Sequence, residues 1–445
     1  MKRIIDQQLI SWKNRKRRKP LIVHGARQVG KTWSIKSFGK SQFDSLAYID
    51  LERNPEMHRL FDAGMDAKRI VSDLEILLKQ KIIPGNTLLF IDEIQACPNA
   101  ITALRYFYEE IPALHVIAAG SLLEFAMDDI SFPVGRLQFM QMYPMNFIEY
   151  LLATGNSEAA NNLISPPEAL SNAVHAFLLE ELRRYFFVGG MPESVHAYVE
   201  TESMHEAFEV QAEICETYRM DFSKYRPRVN PDCLNSSLTY ISQNVGRQIK
   251  YSRLAQGFSA PTLKRAFDVL CMSKLIKKIP SANPSGLPLG ASASDKIFKS
   301  LLVDIGLMRY LTGMPVDVEY PKKGLLSIYH GAMAEQFVGQ EMMLSQGDNF
   351  FYWSRAQKSS SAEVDYLAVI NGAIYPVEVK SGPSGKLRSL HLLLNSYPDC
   401  PKGIVFYTGP YAELPEEKIV FIPLYYAFSA TGGKIDGLHS IQQSV

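Results

Sequence analysis

The stretch LIVHGARQVGKTWS, Leu21 to Ser34, carries the spacing G-x-x-x-x-G-K-T between Gly25 and Thr32. Its setting decides its meaning. The apolar run before Gly25 is expected to be a buried strand, and Trp33, Ile35 and Phe38 follow at helical spacing. Strand, glycine loop and helix in that order let backbone N–H groups and a helix N-terminus surround phosphates. Gly25, Ala26, Arg27, Gln28, Val29, Gly30, Lys31, Thr32 and Trp33 would then line a bound nucleotide. Lys31 would reach the β- and γ-phosphates, and Thr32 would ligate Mg²⁺. The bland alternative is a glycine turn at a helix start.

The next motif weighs against that alternative. TLLFIDEIQ, Thr87 to Gln95, is an apolar run ending in adjacent acids. A buried parallel strand there would place Asp92 at its C-terminal edge, where it holds Mg²⁺ through water, and Glu93 beside it as general base. A third apolar run, LHVIAAGS, ends at Ser121, a candidate for sensing the γ-phosphate or orienting water. A Gly-Ser turn explains that segment equally well. A P-loop kinase would leave the Asp92–Glu93 pair without a role.

The bulk numbers frame these motifs. The chain has 445 residues, 47% hydrophobic and 21% charged, which suits a globular protein of two to four domains. No apolar run approaches the roughly 18 residues of a membrane span, and the basic start lacks the apolar core of a secretory signal. Five scattered cysteines without C-x-x-C spacing argue for a reducing, cytoplasmic setting. The net charge of +1 means that a nucleic-acid partner must be met by local basic patches. KNRKRRK, Lys13 to Lys19, is one such run, expected as solvated surface or a phosphate contact.

From Glu168 to Tyr225 helical periodicity dominates, broken by Gly189-Gly190 and Pro192 as a stop and restart. Beyond it, PDCLNSSLTYISQNVG, YSRLAQGF and SAPTLKRAFDVLCMSKLI read as three helices, the last opened by Ser259 and Pro261. Two short strands around a Gly/Pro/Ser-rich loop follow, completing a winged helix-turn-helix. Between Arg247 and Lys278 eight basic residues face a single acid, Asp268, a footprint suited to a phosphate backbone. Winged helices also dock proteins, so DNA and protein both stay open as partners.

Near the C-terminus, AEVDYLAVI and AIYPVEVKSG flank Asn371-Gly372, the strongest short hairpin signal. A two-residue turn sets Asp365 opposite Glu378 and Glu363 opposite Lys380, all on one face. Facing carboxylates repel unless a cation sits between them, and a divalent metal or the nearby lysine are the candidates. The D…E-x-K pattern of Asp365, Glu378 and Lys380 is that of restriction-endonuclease-like nucleases, with the carboxylates as a second metal site. A salt-bridge ladder without catalysis is the alternative.

GARQVGKT, LLFIDEIQ, IAAGSLLEF and GRLQFMQMYPMNFIEYL together resemble the prokaryotic predicted ATPases of the AAA+ superfamily that carry a fused C-terminal domain of unknown function. YFFVGGMPESV, LVDIGLMRYLTG and YHGAMAEQFVGQEM extend the resemblance over nearly the whole chain. It implies an α/β protein with an AAA+-type P-loop core over residues 1–165, a helical lid or connector over 166–228, a winged helix over 229–312 and a restriction-endonuclease-like module over 313–445. It implies ATP and Mg²⁺ as cofactors. It makes Arg136 a candidate arginine finger acting in trans within a homo-oligomer, and Glu335 the acid that completes the nuclease site. The expected function is a cytoplasmic ATPase coupled to DNA, without membrane contact. The alternative is a nucleotide-controlled switch or scaffold that docks a protein.

Overall fold

The computed structural model describes residues 1–121, 123, 135–225, 229–314, 328–347, 350–357, 360–380 and 387–432. Leu122, Glu124 and Phe125 of the third motif lie outside them. The described chain divides into two compact units, Lys2–Pro144 with Met272–Lys274, and Met145–Cys271 with Leu275–Val445. The first unit ends short of residue 165, and its last strand, QFMQ, has no apolar periodicity to announce it.

Five strands form the sheet of the first unit: β1 (Leu21–His24), β2 (Ser45–Asp50), β3 (Thr87–Asp92), β4 (His115–Gly120) and β5 (Gln138–Gln141). Their order is β2-β3-β4-β1-β5, and every pairing is parallel. β3 and β4 are buried at every position, which is why they read as unbroken apolar runs and not as alternation. Because β1 lies between β4 and β5 while its chain leaves for the far edge at β2, the loops after β1, β3 and β4 gather at one crevice.

The helix Lys31–Gln42 buries Lys31, Ser34, Ile35 and Phe38, a stripe of i, i+3, i+4, i+7 spacing. Trp33 falls off that stripe and is 53% exposed, so its expected place on the apolar face is corrected. In the basic run Asn14 to Arg17 are exposed, as expected of solvated surface, while its ends are tied down. Arg18 donates to the carbonyls of Pro112 and Ala113, and Lys13 donates to that of Gln42.

The second unit opens with the helices Phe147–Ala153 and Ser157–Ile164. Asn172–Val188, Pro192–Thr201 and Met204–Asp221 follow, with the Gly189-Gly190 break where the sequence places it. Next come the helices Pro231–Gln243 and Ala260–Met272. Between these two the expected second helix is a single 3-10 turn, Tyr251–Arg253, because Gly257 adopts φ +80° four residues on and leaves no room for a longer element. Ser259 caps the later helix by accepting the Thr262 amide at 3.4 Å.

Strands β6 (Ile276–Ser281) and β7 (Ser294–Leu302) form the antiparallel hairpin expected of a wing. Here the structure departs from the expected division at residue 312. β6 also pairs with β8 (Phe351–Gln357) at Ser281–Tyr352, so the hairpin edges one continuous eight-stranded sheet. That sheet continues through β9 (Ser360–Ile370), β10 (Ala373–Val379), β11 (Gly403–Tyr407), β12 (Ala412–Leu414) and β13 (Ile419–Pro423) in the order β12-β13-β11-β10-β9-β8-β6-β7. β9 and β10 meet through Asn371 at φ +50° and Gly372 at φ +80°, the left-handed pair that a tight hairpin of native twist needs. The register runs from Ile370 opposite Ala373 to Tyr366 opposite Val377, as the turn predicts. No helix among the described residues is long and apolar enough to cross a membrane.

Candidate functional sites

The loop after β1 holds φ +150° at Gly25, +62° at Gln28 and +93° at Gly30. A Cβ on Gly25 would come within 2.1 Å of the Met142 carbonyl oxygen, so β5 presses directly on the loop's first residue. We expect Gly25→Ala to destabilise this unit by about 3 kcal/mol, from overpacking plus left-handed strain. A midpoint of thermal unfolding within 1–2 °C of wild type, about what a negligible change would give, would contradict it.

Lys31 starts the helix and is buried. Its Nζ donates to the Gly25 carbonyl at 3.0 Å, the Ala26 carbonyl at 2.7 Å and Ser121 Oγ at 2.8 Å. Burial pulls its pKa down to about 8, against Glu93 and Asp92, which favour the charged form. Thr32 Oγ1 donates to Asp92 Oδ2 at 2.8 Å, which brings together two oxygens that suit one hard cation. Asp92 stands at the end of β3, and burial raises the pKa of both Asp92 and Glu93. Lys31, Thr32, Asp92, Glu93 and Ser121, chosen from three distant motifs, thus converge on one crevice.

Two residues here escaped sequence reasoning. Tyr48, on β2, donates to Asp92 Oδ2 at 3.3 Å, and alternation on a half-buried strand gives no hint of it. Gln95 donates from Nε2 to Glu93 Oε2 at 2.5 Å. Glu93 itself sits at φ +48°, a conformation that turns its carboxylate out of the strand and toward Gln95. The Q of FIDEIQ was the available signal.

Arg136 is exposed and pairs with Glu109 at 3.3 Å. It precedes β5, whose first residue lies beside Leu21, whereas the phosphate loop leaves β1 at the opposite end. At about 3.3 Å per residue the two are more than ten ångströms apart along the sheet. Arg136 cannot serve its own loop from there.

The C-terminal cluster differs from its expected form. Asp365 Oδ2 accepts the Val379 amide at 2.9 Å, and Lys380 Nζ donates to Glu378 Oε1 at 2.5 Å. The expected Glu363–Lys380 pair is not made. Glu363 instead meets Gln248 Nε2 at 2.6 Å and Lys299 Nζ at 2.5 Å. Lys299 comes from β7 and also reaches Glu335 Oε1 at 2.7 Å and Asp365 Oδ1 at 3.1 Å. Burial opposes its charge, yet Glu335, Asp365 and Glu363 hold its pKa well above the usual lysine value. Burial, with Asp365 adding repulsion, pushes Glu335 to about 8 and Glu378 to about 7. Among the described residues no group of three or more His, Cys, Asp or Glu is arranged to hold a metal ion. Lys299, Val379 and Lys380 take three of the four oxygens of Asp365 and Glu378, so the pair as it stands is not open to a metal in the expected way.

Residues 17–151 match the family model described as an AAA domain. The chain carries an AAA-type P-loop core. Beyond that core, residues 179–317 and 330–427 match two models, each described as a domain of unknown function (DUF8612 and DUF4143). No curated protein matches the chain. Among solved structures it is similar to the Aeropyrum pernix ORC1 protein in complex with DNA, at 12% identity over 71% of this chain and 92% of that one, with a TM-score of 0.27. It is also similar to Drosophila ORC bound to DNA, at 11% identity over 66% and 90%, TM-score 0.29. The Thermotoga maritima RuvB Holliday junction branch migration motor matches at 13% identity over 62% and 89%, TM-score 0.28. Likeness this weak carries nothing about activity.

Proposed function

We propose that this chain is a Mg²⁺-dependent ATPase that couples hydrolysis to DNA binding. The observation that carries the ATPase reading is the 2.8 Å contact between Thr32 Oγ1 and Asp92 Oδ2 beside a loop-bound Lys31 ammonium. Gly25 to Thr32 supply the backbone cradle, and Trp33 stands exposed at its rim. Lys31 leaves the loop carbonyls for the phosphates, and Ser121 keeps its ammonium aimed at them. Thr32 and Asp92 would hold Mg²⁺, which would supply charge stabilisation on the transferred phosphoryl group. Glu93 takes the proton of the attacking water, held meanwhile by Gln95. Arg136, too far from its own loop, serves a neighbouring copy in a homo-oligomer.

We propose that the helices and hairpin over residues 229–312 form a winged helix that meets DNA, its hairpin shared with the eight-stranded sheet. Arg247, Lys250, Arg253, Lys264 and Arg265 are all exposed, and the last two lie on the helix Ala260–Met272. Phosphate contacts of this kind make binding fall steeply with salt. The double variant Lys264→Glu, Arg265→Glu is expected to weaken binding to duplex DNA at least tenfold and to flatten its salt dependence by about two counterions. Unchanged binding in fluorescence anisotropy would remove this helix from the interface.

A second reading is favoured by Lys299. If its ammonium is a permanent part of the acidic cluster, the restriction-endonuclease-like module over 313–445 does not cut, and the protein is a nucleotide-controlled switch that docks a protein partner. Residues 166–228 act as the lid or connector in both readings.

A further inference from the structure

We propose that Lys299 is the native cation of the C-terminal acidic cluster, and that a divalent metal enters there only when that ammonium is removed. This does not depend on whether ATP is hydrolysed.

An ammonium has three N–H bonds and no acceptor, and Lys299 Nζ has three carboxylate oxygens within 3.1 Å, one each from Glu335, Glu363 and Asp365. These come from the helix Ile328–Gln346 and from β9, so the side chain is at the centre of the cluster and not at its rim. Lys299 is 1% exposed, and the rings of Tyr352 and Tyr366 lie 5.5 and 5.9 Å from its Nζ, which further favours a cation there. Two of the carboxylates are satisfied on their outer sides as well, and the third is closely packed. Gln248 holds the second oxygen of Glu363, Val379 that of Asp365, and Gly246 closes over Glu335 so tightly that a Cβ would come within 2.4 Å of its Oε2.

A divalent cation needs about six oxygen ligands at 2.0–2.6 Å, and it would compete for the same oxygens while facing a buried positive charge. Yet the site retains the makings of a metal centre. Glu378, 8% exposed and opposite Asp365 in the hairpin, has a buried Oε2 with no partner. Withdrawing the Lys299 ammonium would free three more oxygens around it. β7, which carries Lys299, is one strand of the wing hairpin, so this side chain ties the wing to the acidic cluster alongside the β6–β8 pairing and the Gln248–Glu363 contact.

The test is a Mn²⁺ titration of the full-length, nucleotide-free protein, with bound metal counted by electron paramagnetic resonance. Asp365→Asn separates this site from the nucleotide site. Wild type and Asp365→Asn are expected to bind the same amount of Mn²⁺. Lys299→Met is expected to gain one ion, with affinity at least tenfold above any wild-type binding, and Asp365→Asn in that background should remove it. If Lys299→Met does not fold, the double variant Lys299→Met, Glu335→Gln relieves the repulsion and carries the same readout. A wild-type ion lost in Asp365→Asn would overturn the proposal, as would a folded Lys299 variant that gains none.

Discussion

Lys31→Ala is expected to weaken ATP binding at least a hundredfold and to abolish turnover. Charge-assisted hydrogen bonds to phosphate contribute about 1.5–3 kcal/mol each, and Lys31 offers three donors that now rest on Gly25, Ala26 and Ser121. Removing the side chain leaves the backbone cradle but takes away the positive charge nearest the β- and γ-phosphates. A pH dependence follows for wild type. With the free ammonium near pKa 8 and phosphate binding raising it, affinity is full below pH 8 and falls as pH rises beyond it. Titration with a fluorescent ATP analogue checks both. Near wild-type affinity in Lys31→Ala would mean that this loop does not hold the phosphates.

Glu93→Gln should behave in the opposite way toward binding. The amide keeps the shape of the side chain, so ATP affinity is expected to stay within a few fold of wild type. It cannot accept a proton, and removal of a general base costs about 10²- to 10⁴-fold in rate. Bound ATP would persist on the protein through gel filtration instead of appearing as ADP. Normal turnover would remove Glu93 from the chemistry and point to another base in the crevice.

The parts of this chain that could be read from sequence are those where chemistry demands fixed spacing. A phosphate cradle needs glycine at Gly25 and Gly30 for φ values that other residues resist, and Asn371-Gly372 declares its hairpin for the same reason. A strand buried on both faces reads as one apolar run with the acid at its end, which makes β3 and the position of Asp92 legible. What stayed hidden depends on contacts across distant segments. Lys299 lies 36 residues from Glu335 and 66 from Asp365, in a strand whose sequence reads only as one side of a wing. Nothing local marks a lysine as buried, since its pattern differs little from that of Lys296 three residues earlier. Trp33 was misplaced because helical spacing alone does not say which stripe faces the sheet, and that was decided by Ile35 and Phe38.

Phosphate release from the full-length protein with ATP and Mg²⁺, measured with and without duplex DNA, reads the coupling between nucleotide and DNA. Hydrolysis should rise several-fold with DNA, and the Lys264→Glu, Arg265→Glu variant should keep the basal rate but lose the stimulation. Hydrolysis indifferent to DNA in wild type would contradict the coupling and favour the protein-docking switch.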